Sequence, residues 1–293
     1  MLKHEYARSA LKLGLEIEQE LDSNPYKFGM IGSTDSHTNF AAAEEENFYG
    51  KFPDSEPLPG RATSNMGDRL WKNWRLASSG YAGVWATENT REALYDAMQR
   101  REVYGTTGPL ITVRLFAGWD YEPADITRAD FVDIGYAKGV PMGGDLTQGP
   151  NGVAPSLMVF AAKDPDGANL DRIQIIKGWL DADGKSQEKV YDVALSNGRV
   201  VDPATGKAPA VGSTVDVADA SYTNTIGAVQ LSAVWQDPDF DAKSKAFYYV
   251  RVLEIPTPRW TVYDAKYFDI KMGDEVPMVQ QDRAYTSPIW YTP

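Results

Sequence analysis

The 293-residue sequence contains no cysteine. Disulfides, thiolate nucleophiles and thiolate-ligated zinc are therefore excluded, and the redox compartment cannot be read from the chain. Histidine is nearly as scarce, with His4 and His37 the two in the sequence. Hydrolytic sites with two or three metals gather several imidazoles and carboxylates. A centre that used His37 would be dominated by carboxylates, or would draw its other ligands from polypeptide outside this sequence. Positive charge is also short, with Lys+Arg 29 against Asp+Glu 41 and a formal net charge of -12. An acidic surface favours solubility and opposes both phosphate-backbone binding and anionic membranes, so no nucleic-acid and no membrane partner is expected. No stretch approaches a membrane span, and Met1 to Tyr6 has no apolar core of an export signal.

What remains is the composition of a folded globular chain, 43% hydrophobic and 12% aromatic, long enough for one large or two medium domains. Lys3 to Leu21 reads as an amphipathic helix with Tyr6, Ala10, Leu13, Ile17 and Leu21 on its inner stripe. Asp22-Ser-Asn-Pro25 stops it. The apolar run Phe28 to Ile31 then reads as a fully buried strand, released by Gly32 into Ser33, Thr34, Asp35, Ser36 and His37. An aspartate and a histidine just beyond the C-terminal end of a buried strand lie where (β/α) barrels place their chemistry. A hard carboxylate oxygen beside an imidazole nitrogen suits a divalent metal such as Zn, Mn or Fe. The alternative is an Asp35 that caps the following turn, with His37 half-exposed. Helix, strand and loop together make the last part of an α/β repeat. One strand cannot close a barrel or a sheet, so the N-terminal part is expected to be the tail of a larger domain.

Residues 40–74 are irregular and polar, the behaviour of a loop that covers a site. Within it, Glu44 to Glu46 read either as oxygen ligands or as a solvated acidic turn opening a short helix. Trp71, Trp74 and Arg75 read as pocket lining or as a packed loop anchor. Tyr81 to Ala86 reads as a second buried strand. Asn89 or Thr90 caps a helix through Arg101, with Leu94, Ala97 and Met98 inward. After Gly105-Thr-Thr-Gly-Pro109 the pattern changes to period two, and a domain boundary is expected there. Strand-length runs follow at 131–136, 156–162, 171–177, 189–194, 228–235 and 247–253, the punctuation of an antiparallel sandwich. Asp164-Pro-Asp-Gly167 and Asp181-Ala-Asp-Gly184 lack the ligand set of a calcium loop and read as turns. Arg251, Glu254, Arg259 and Trp260 form a candidate polar cluster, an ion pair or an interdomain contact.

The loop Gly-Ser-Thr-Asp-Ser-His37 is similar to the late Asp-x-His metal motif of the PHP (polymerase and histidinol phosphatase) superfamily. The stretch from Val84 to Gly108 resembles the same superfamily. More closely, the chain resembles the C-terminal half of domain-of-unknown-function family 3604. The resemblance rests on Asn-Pro-Tyr-Lys-Phe-Gly29, Gly-Val-Pro-Met-Gly-Gly144, Gln-Ile-Ile-Lys-Gly-Trp179, Tyr-Tyr-Val-Arg-Val-Leu-Glu254 and Ser-Pro-Ile-Trp290, in that order. It covers nearly the whole sequence. It implies an α+β protein in which residues 1–109 are the C-terminal piece of a PHP-like (β/α) barrel and 110–293 an antiparallel β-sandwich-like domain. It implies Asp35 and His37 as metal ligands. Family members are about twice this length, and their upstream segment carries early His-x-His ligands and often an export signal. Ser33 and Thr34 would then support the metal site, with Arg75 and Glu88 as further pocket residues.

The expected function is the C-terminal portion of a metal-dependent hydrolase. It would act on phosphoester, amide or similar bonds of a small-molecule substrate and be largely inactive without the N-terminal barrel half. Two alternatives stand beside it. One is a non-catalytic sandwich module for binding or assembly. The other is one half of a split enzyme, docked on a separate N-terminal half or on a second copy in a homo-oligomer.

Overall fold

The computed structural model describes residues 6–67, 71–150 and 152–293. Helix α1 (Ala7–Leu21) comes first, followed by a long segment with short 3-10 turns. Then come β1 (Ala82–Val84), α2 (Arg91–Gln99), β2 (Val103–Thr106), β3 (Thr112–Gly118), α3 (Phe131–Lys138) and β4 (Gly139–Pro141). Strands β5 (Asp145–Leu146), β6 (Ser156–Ala162), β7 (Leu170–Leu180), β8 (Ser186–Leu195) and β9 (Gln230–Gln236) follow. The chain ends with β10 (Ala246–Glu254), β11 (Thr257–Pro258), α4 (Trp260–Phe268), β12 (Val279–Gln280), β13 (Arg283–Thr286) and β14 (Ile289–Tyr291).

β10 is the axis of the larger sheet. One edge pairs along its whole length with β7, which pairs in turn with β8. Its other edge is shared by β14 near the start and β13 near the end. β13 continues into β2 and β1, so this sheet contains strands from both sides of residue 109. All these pairs are antiparallel, whereas β14 and β5 run parallel. The smaller sheet is antiparallel throughout, in the order β4-β3-β6-β9. The protein is thus a mixed α/β structure built on antiparallel sheets, and the described residues close no barrel.

Strict alternation builds the layers. Tyr248, Val250 and Val252 of β10 face Val113, Leu115, Leu157 and Val159 of the smaller sheet in one core. Phe247 and Tyr249, pointing the other way, pack with Ile176, Trp290 and the α1 residues Leu11 and Leu15. Phe116 and Met158, on the outer side of the smaller sheet, are covered by Phe131, Val132 and Ile134 of α3. The order is therefore helix, sheet, sheet, helix. A fourth cluster, Phe48, Ala62, Leu76, Trp260 and Val276, ties the irregular segment to α4.

The structure corrects several sequence expectations. Phe28 to Ile31 form no strand: Phe28 and Met30 pack on the α1 cluster, and the Ser287 hydroxyl accepts the Met30 N–H. Ile31 is 60% exposed. The run meets side chains where a ladder was expected. In the same way, the expected buried strand at 81–86 shrinks to β1, an edge strand that pairs, among the described residues, with β2 alone. In α1 the buried stripe is Leu11, Gly14 and Leu15, while Tyr6 and Leu21 are exposed; residues 3–5 of the expected helix lie outside the described residues. Gly14 lets the Asn24 side chain approach this face closely, since a Cβ there would sit 2.3 Å from Asn24 Oδ1. Each fully buried leucine in this seam contributes about 1.5–3 kcal/mol. In α2, Thr90 caps through the Ala93 N–H and Ala97 is buried, but Met98 is exposed.

The run at 131–136, read as a strand, is α3. Its apolar residues suit a strand by propensity, yet packing over Phe116 and Met158 overrides that preference. The other five strand-length runs lie within or overlap β6, β7, β8, β9 and β10. Both Asp-x-Asp-Gly stretches are turns, in which the Asp166 and Asp183 N–H groups donate to Asp164 and Asp181.

Candidate functional site

The segment carrying Asp35 and His37 is pinned first by backbone hydrogen bonds. Gly32 N–H donates to the Tyr81 carbonyl at 3.1 Å, Gly80 N–H to Ser33 at 3.0 Å, and Ser79 N–H to Ala42 at 2.8 Å. Here glycine is obligatory. A Cβ on Gly32 would lie 2.4 Å from the Thr106 carbonyl oxygen and 2.5 Å from that of Tyr81. Three chain segments therefore cross in direct backbone contact beneath the loop.

Beyond the crossing the chain turns sharply at Asp35, whose φ of 43° is left-handed. Aspartate tolerates that region better than most residues, and held conformations of this kind cluster at functional sites. The turn brings Asp35 Oδ1 to 3.8 Å from His37 Nε2. Both side chains are open to solvent, 72% for Asp35 and 57% for His37. The His37 N–H donates to the Lys51 carbonyl at 2.8 Å, and its ring stacks on Phe52 with centroids 4.5 Å apart. Lys51 closes the other side, its Nζ 2.7 Å from Asp35 Oδ2. The hydrogen-bonded Lys51 ammonium holds the Asp35 carboxyl below the usual carboxylate range. Lys51 is itself placed by Ser55, whose hydroxyl accepts from both Lys51 N–H and Phe52 N–H at 3.0 Å.

The donor set fits part of a metal site. Donors about 2.1 Å from a tetrahedral metal stand about 3.4 Å apart, a few tenths of an ångström from the observed 3.8 Å. A positive charge already sits on Asp35 in the form of Lys51. Among the described residues, however, no three His, Asp or Glu side chains are grouped to hold a metal ion. Among the described residues, Asp35 and His37 are a pair that no third His, Asp or Glu joins.

The other candidates are placed as follows. Ser33 and Thr34 are exposed on the same loop, and the Thr34 hydroxyl accepts the Ser36 N–H at 3.4 Å. Arg75 stacks over Trp74 and Trp71, at 5.3 and 5.9 Å from the ring centres. Glu88 accepts from the Thr90 hydroxyl at the start of α2. Neither Arg75 nor Glu88 contacts the Asp35/His37 pair. The expected solvated turn at Glu44 to Glu46 is only partly so. Glu45 is buried, and its two oxygens accept the Ser78 N–H at 3.2 Å and the Trp260 N–H at 2.7 Å. The cluster foreseen at Arg251, Glu254, Arg259 and Trp260 does not assemble. Arg251 binds Gln174, whereas Arg259 and the Trp260 indole converge on the Leu76 carbonyl.

Sequence reasoning missed Lys51 and Phe52, which lie 14 or more positions beyond the residues they touch and carry no motif. It also missed Asp282, a half-buried carboxyl that accepts from the Thr107 hydroxyl at 2.7 Å and from Gln280 at 3.1 Å. No signal in the local sequence marks either. No curated protein and no solved structure matches the chain. A family model described as a protein of unknown function, DUF3604, matches residues 1–293, and the chain belongs to that family.

Proposed function

We propose that this chain supplies the C-terminal portion of a metal-dependent hydrolase of the PHP type, acting on a phosphoester, amide or similar bond of a small molecule. The observation that carries the reading is the left-handed turn at Asp35, which sets its carboxylate beside the His37 imidazole on an open face. Asp35 and His37 would hold a divalent metal, Zn, Mn or Fe, and a metal so bound supplies Lewis-acid activation of water and substrate. His37 would present Nε2, its ring oriented by Phe52 and its backbone by Lys51. Lys51 balances the Asp35 charge and sits within reach of an anionic substrate group. Ser33 and Thr34 would shape the loop, and Arg75 and Glu88 would take part only as outlying groups, since neither touches the pair.

The remaining metal donors would come from further barrel elements beyond this sequence. A groove of about 900 Å³ beside α1, lined by Phe28, Met30, Ile31 and Tyr285 together with Arg8, Glu188, Arg251 and Arg283, offers a mixed apolar and charged seat for them. The same groove supports the split-enzyme variant of the reading, in which those elements arrive as a separate chain.

The test is hydrolysis of p-nitrophenyl phosphate and bis-p-nitrophenyl phosphate with Zn²⁺ or Mn²⁺. It compares this chain alone with the chain joined to its in-frame upstream coding sequence. Activity is expected in the longer polypeptide and is expected to be lost in Asp35→Ala and His37→Ala. Full activity in both variants would overturn the assignment, and a silent longer polypeptide would favour a non-catalytic binding or assembly module.

A further inference from the structure

A second pocket lies apart from the Asp35/His37 pair in chemistry. The Glu44–Glu46 turn, the Asp164–Gly167 turn, the end of β10 and Asp282 enclose a cavity of about 280 Å³. Seven of the side chains that line it are acidic, and none of the described lining residues is Lys or Arg. Three of the acids are already engaged. Glu45 accepts two backbone N–H groups, Asp164 accepts those of Leu110 at 2.6 Å and Asp166 at 3.0 Å, and Asp282 accepts from Thr107 and Gln280. Every one of these donors is neutral, and the cations that act on the acids, Arg259 on Glu45, Arg283 on Asp282 and Lys163 on Glu254, do so from outside the lining.

Glu254 differs from these three. It is 1% exposed, lines the cavity, and its Oε1 has no hydrogen-bond partner. A buried carboxyl oxygen left without a donor is costly, and that cost is relieved by a ligand that donates to it. The nearby base, Lys163, does not serve. Its ammonium donates to the carbonyls of Asp164, Pro165 and Gly167 at 2.6, 2.8 and 2.9 Å, which uses its three N–H groups.

We propose that this cavity binds a small organic cation, which presents an ammonium or guanidinium group to Glu254 between the aromatic walls Tyr222 and Tyr263. Among the described residues no three acids converge as metal ligands. Carboxylates spread around a cavity of this size match a cation with several N–H donors better than they match one ion. Tyrosine faces add attraction for an organic cation. Burial, with the charges of Asp282 and Asp164 added, pushes the Glu254 carboxyl up to about 9. In the empty cavity the group is therefore held protonated near neutral pH, and a cation that binds there displaces the proton.

The experiment is isothermal titration calorimetry of the chain at physiological salt with agmatine, which carries a guanidinium and an ammonium, and separately with CaCl₂ and MgCl₂. One agmatine per chain is expected to bind, with affinity falling about tenfold or more in Glu254→Gln. Glu46→Gln, at an exposed lining position that leaves the fold intact, is expected to weaken binding about threefold. That second variant decides the matter if Glu254→Gln does not fold. Heats no larger than those from NaCl would overturn the proposal. So would agmatine affinity unchanged in the variants, or Ca²⁺ that binds more tightly and displaces agmatine.

Discussion

The guanidinium of Arg61 grips the carboxylate of Asp264, 203 positions away, with Nε 2.5 Å from Oδ2 and Nη2 2.8 Å from Oδ1. Its remaining donors reach the carbonyls of Tyr49, Ser55 and Phe48, each at 3.0 Å, and its plane lies 4.6 Å over the Trp260 ring. All five N–H groups are thereby used in a buried site. The pair fastens the segment that carries Lys51 and Phe52 to α4, and so holds the platform on which His37 rests.

Asp264→Ala leaves a buried guanidinium without its counterion and is expected to cost about 3–5 kcal/mol. Arg61→Met is expected to be similarly costly, because three carbonyls lose their donor as well. Urea unfolding followed by Trp fluorescence measures both, and a loss below about 1 kcal/mol in Asp264→Ala would contradict this role.

Lys51→Met is expected to raise the Asp35 carboxyl back toward the ordinary aspartate range, since the Lys51 ammonium is the first cause of its lowered value. Carboxyl-carbon NMR titration of Asp35 reads this directly. An Asp35 titration that is the same with and without Lys51 would remove the ion pair from the account.

Stability should fall as pH rises. Burial raises Glu254 to about 9 and Asp282 to about 6, both above ordinary carboxyl values. The folded state therefore binds more protons than the unfolded state between about pH 4 and 9. The stabilisation is full below the unfolded pKa and is lost through those folded values, a difference on the order of a few kcal/mol. Urea midpoints from pH 5 to 9 should decline, and Glu254→Gln should flatten the alkaline part of the decline. A rise in stability across that range would contradict the assigned burial.

Much of the architecture was legible because alternation is a local signal. Ile175 and Ile176, or Tyr248 and Tyr249, declare opposite faces by position alone, and the strands containing them were anticipated. The helix at Phe131 was not, because its residues favour a strand and only the apolar floor of Phe116 and Met158 makes it helical. The strand expected at Phe28 failed for the opposite reason: its length and apolarity suit a strand, but Ser287 takes its N–H. Of the candidate site, Asp35 and His37 could be named from their spacing. Lys51, Phe52 and Ser55 could not, because their relation to the pair exists only after the chain has folded back.

Gly32→Ala tests the crossing beneath the loop. A Cβ there meets two carbonyl oxygens inside 2.6 Å, so the variant is expected to lose about 1–3 kcal/mol and to shift the His37 amide resonance. A variant as stable as the parent, with an unmoved His37 signal, would show that the crossing does not position the loop.

The most direct test of the central claim is an Mn²⁺ titration of the chain watched through the His37 ring resonances, assigned by their absence in His37→Ala. With two histidines in the sequence, the assignment is simple. The account predicts broadening of the His37 signals at weak, sub-millimolar affinity, abolished in Asp35→Ala and strengthened when the upstream coding sequence is joined to the chain. Broadening unchanged by Asp35→Ala, or no broadening in the joined polypeptide, would contradict it.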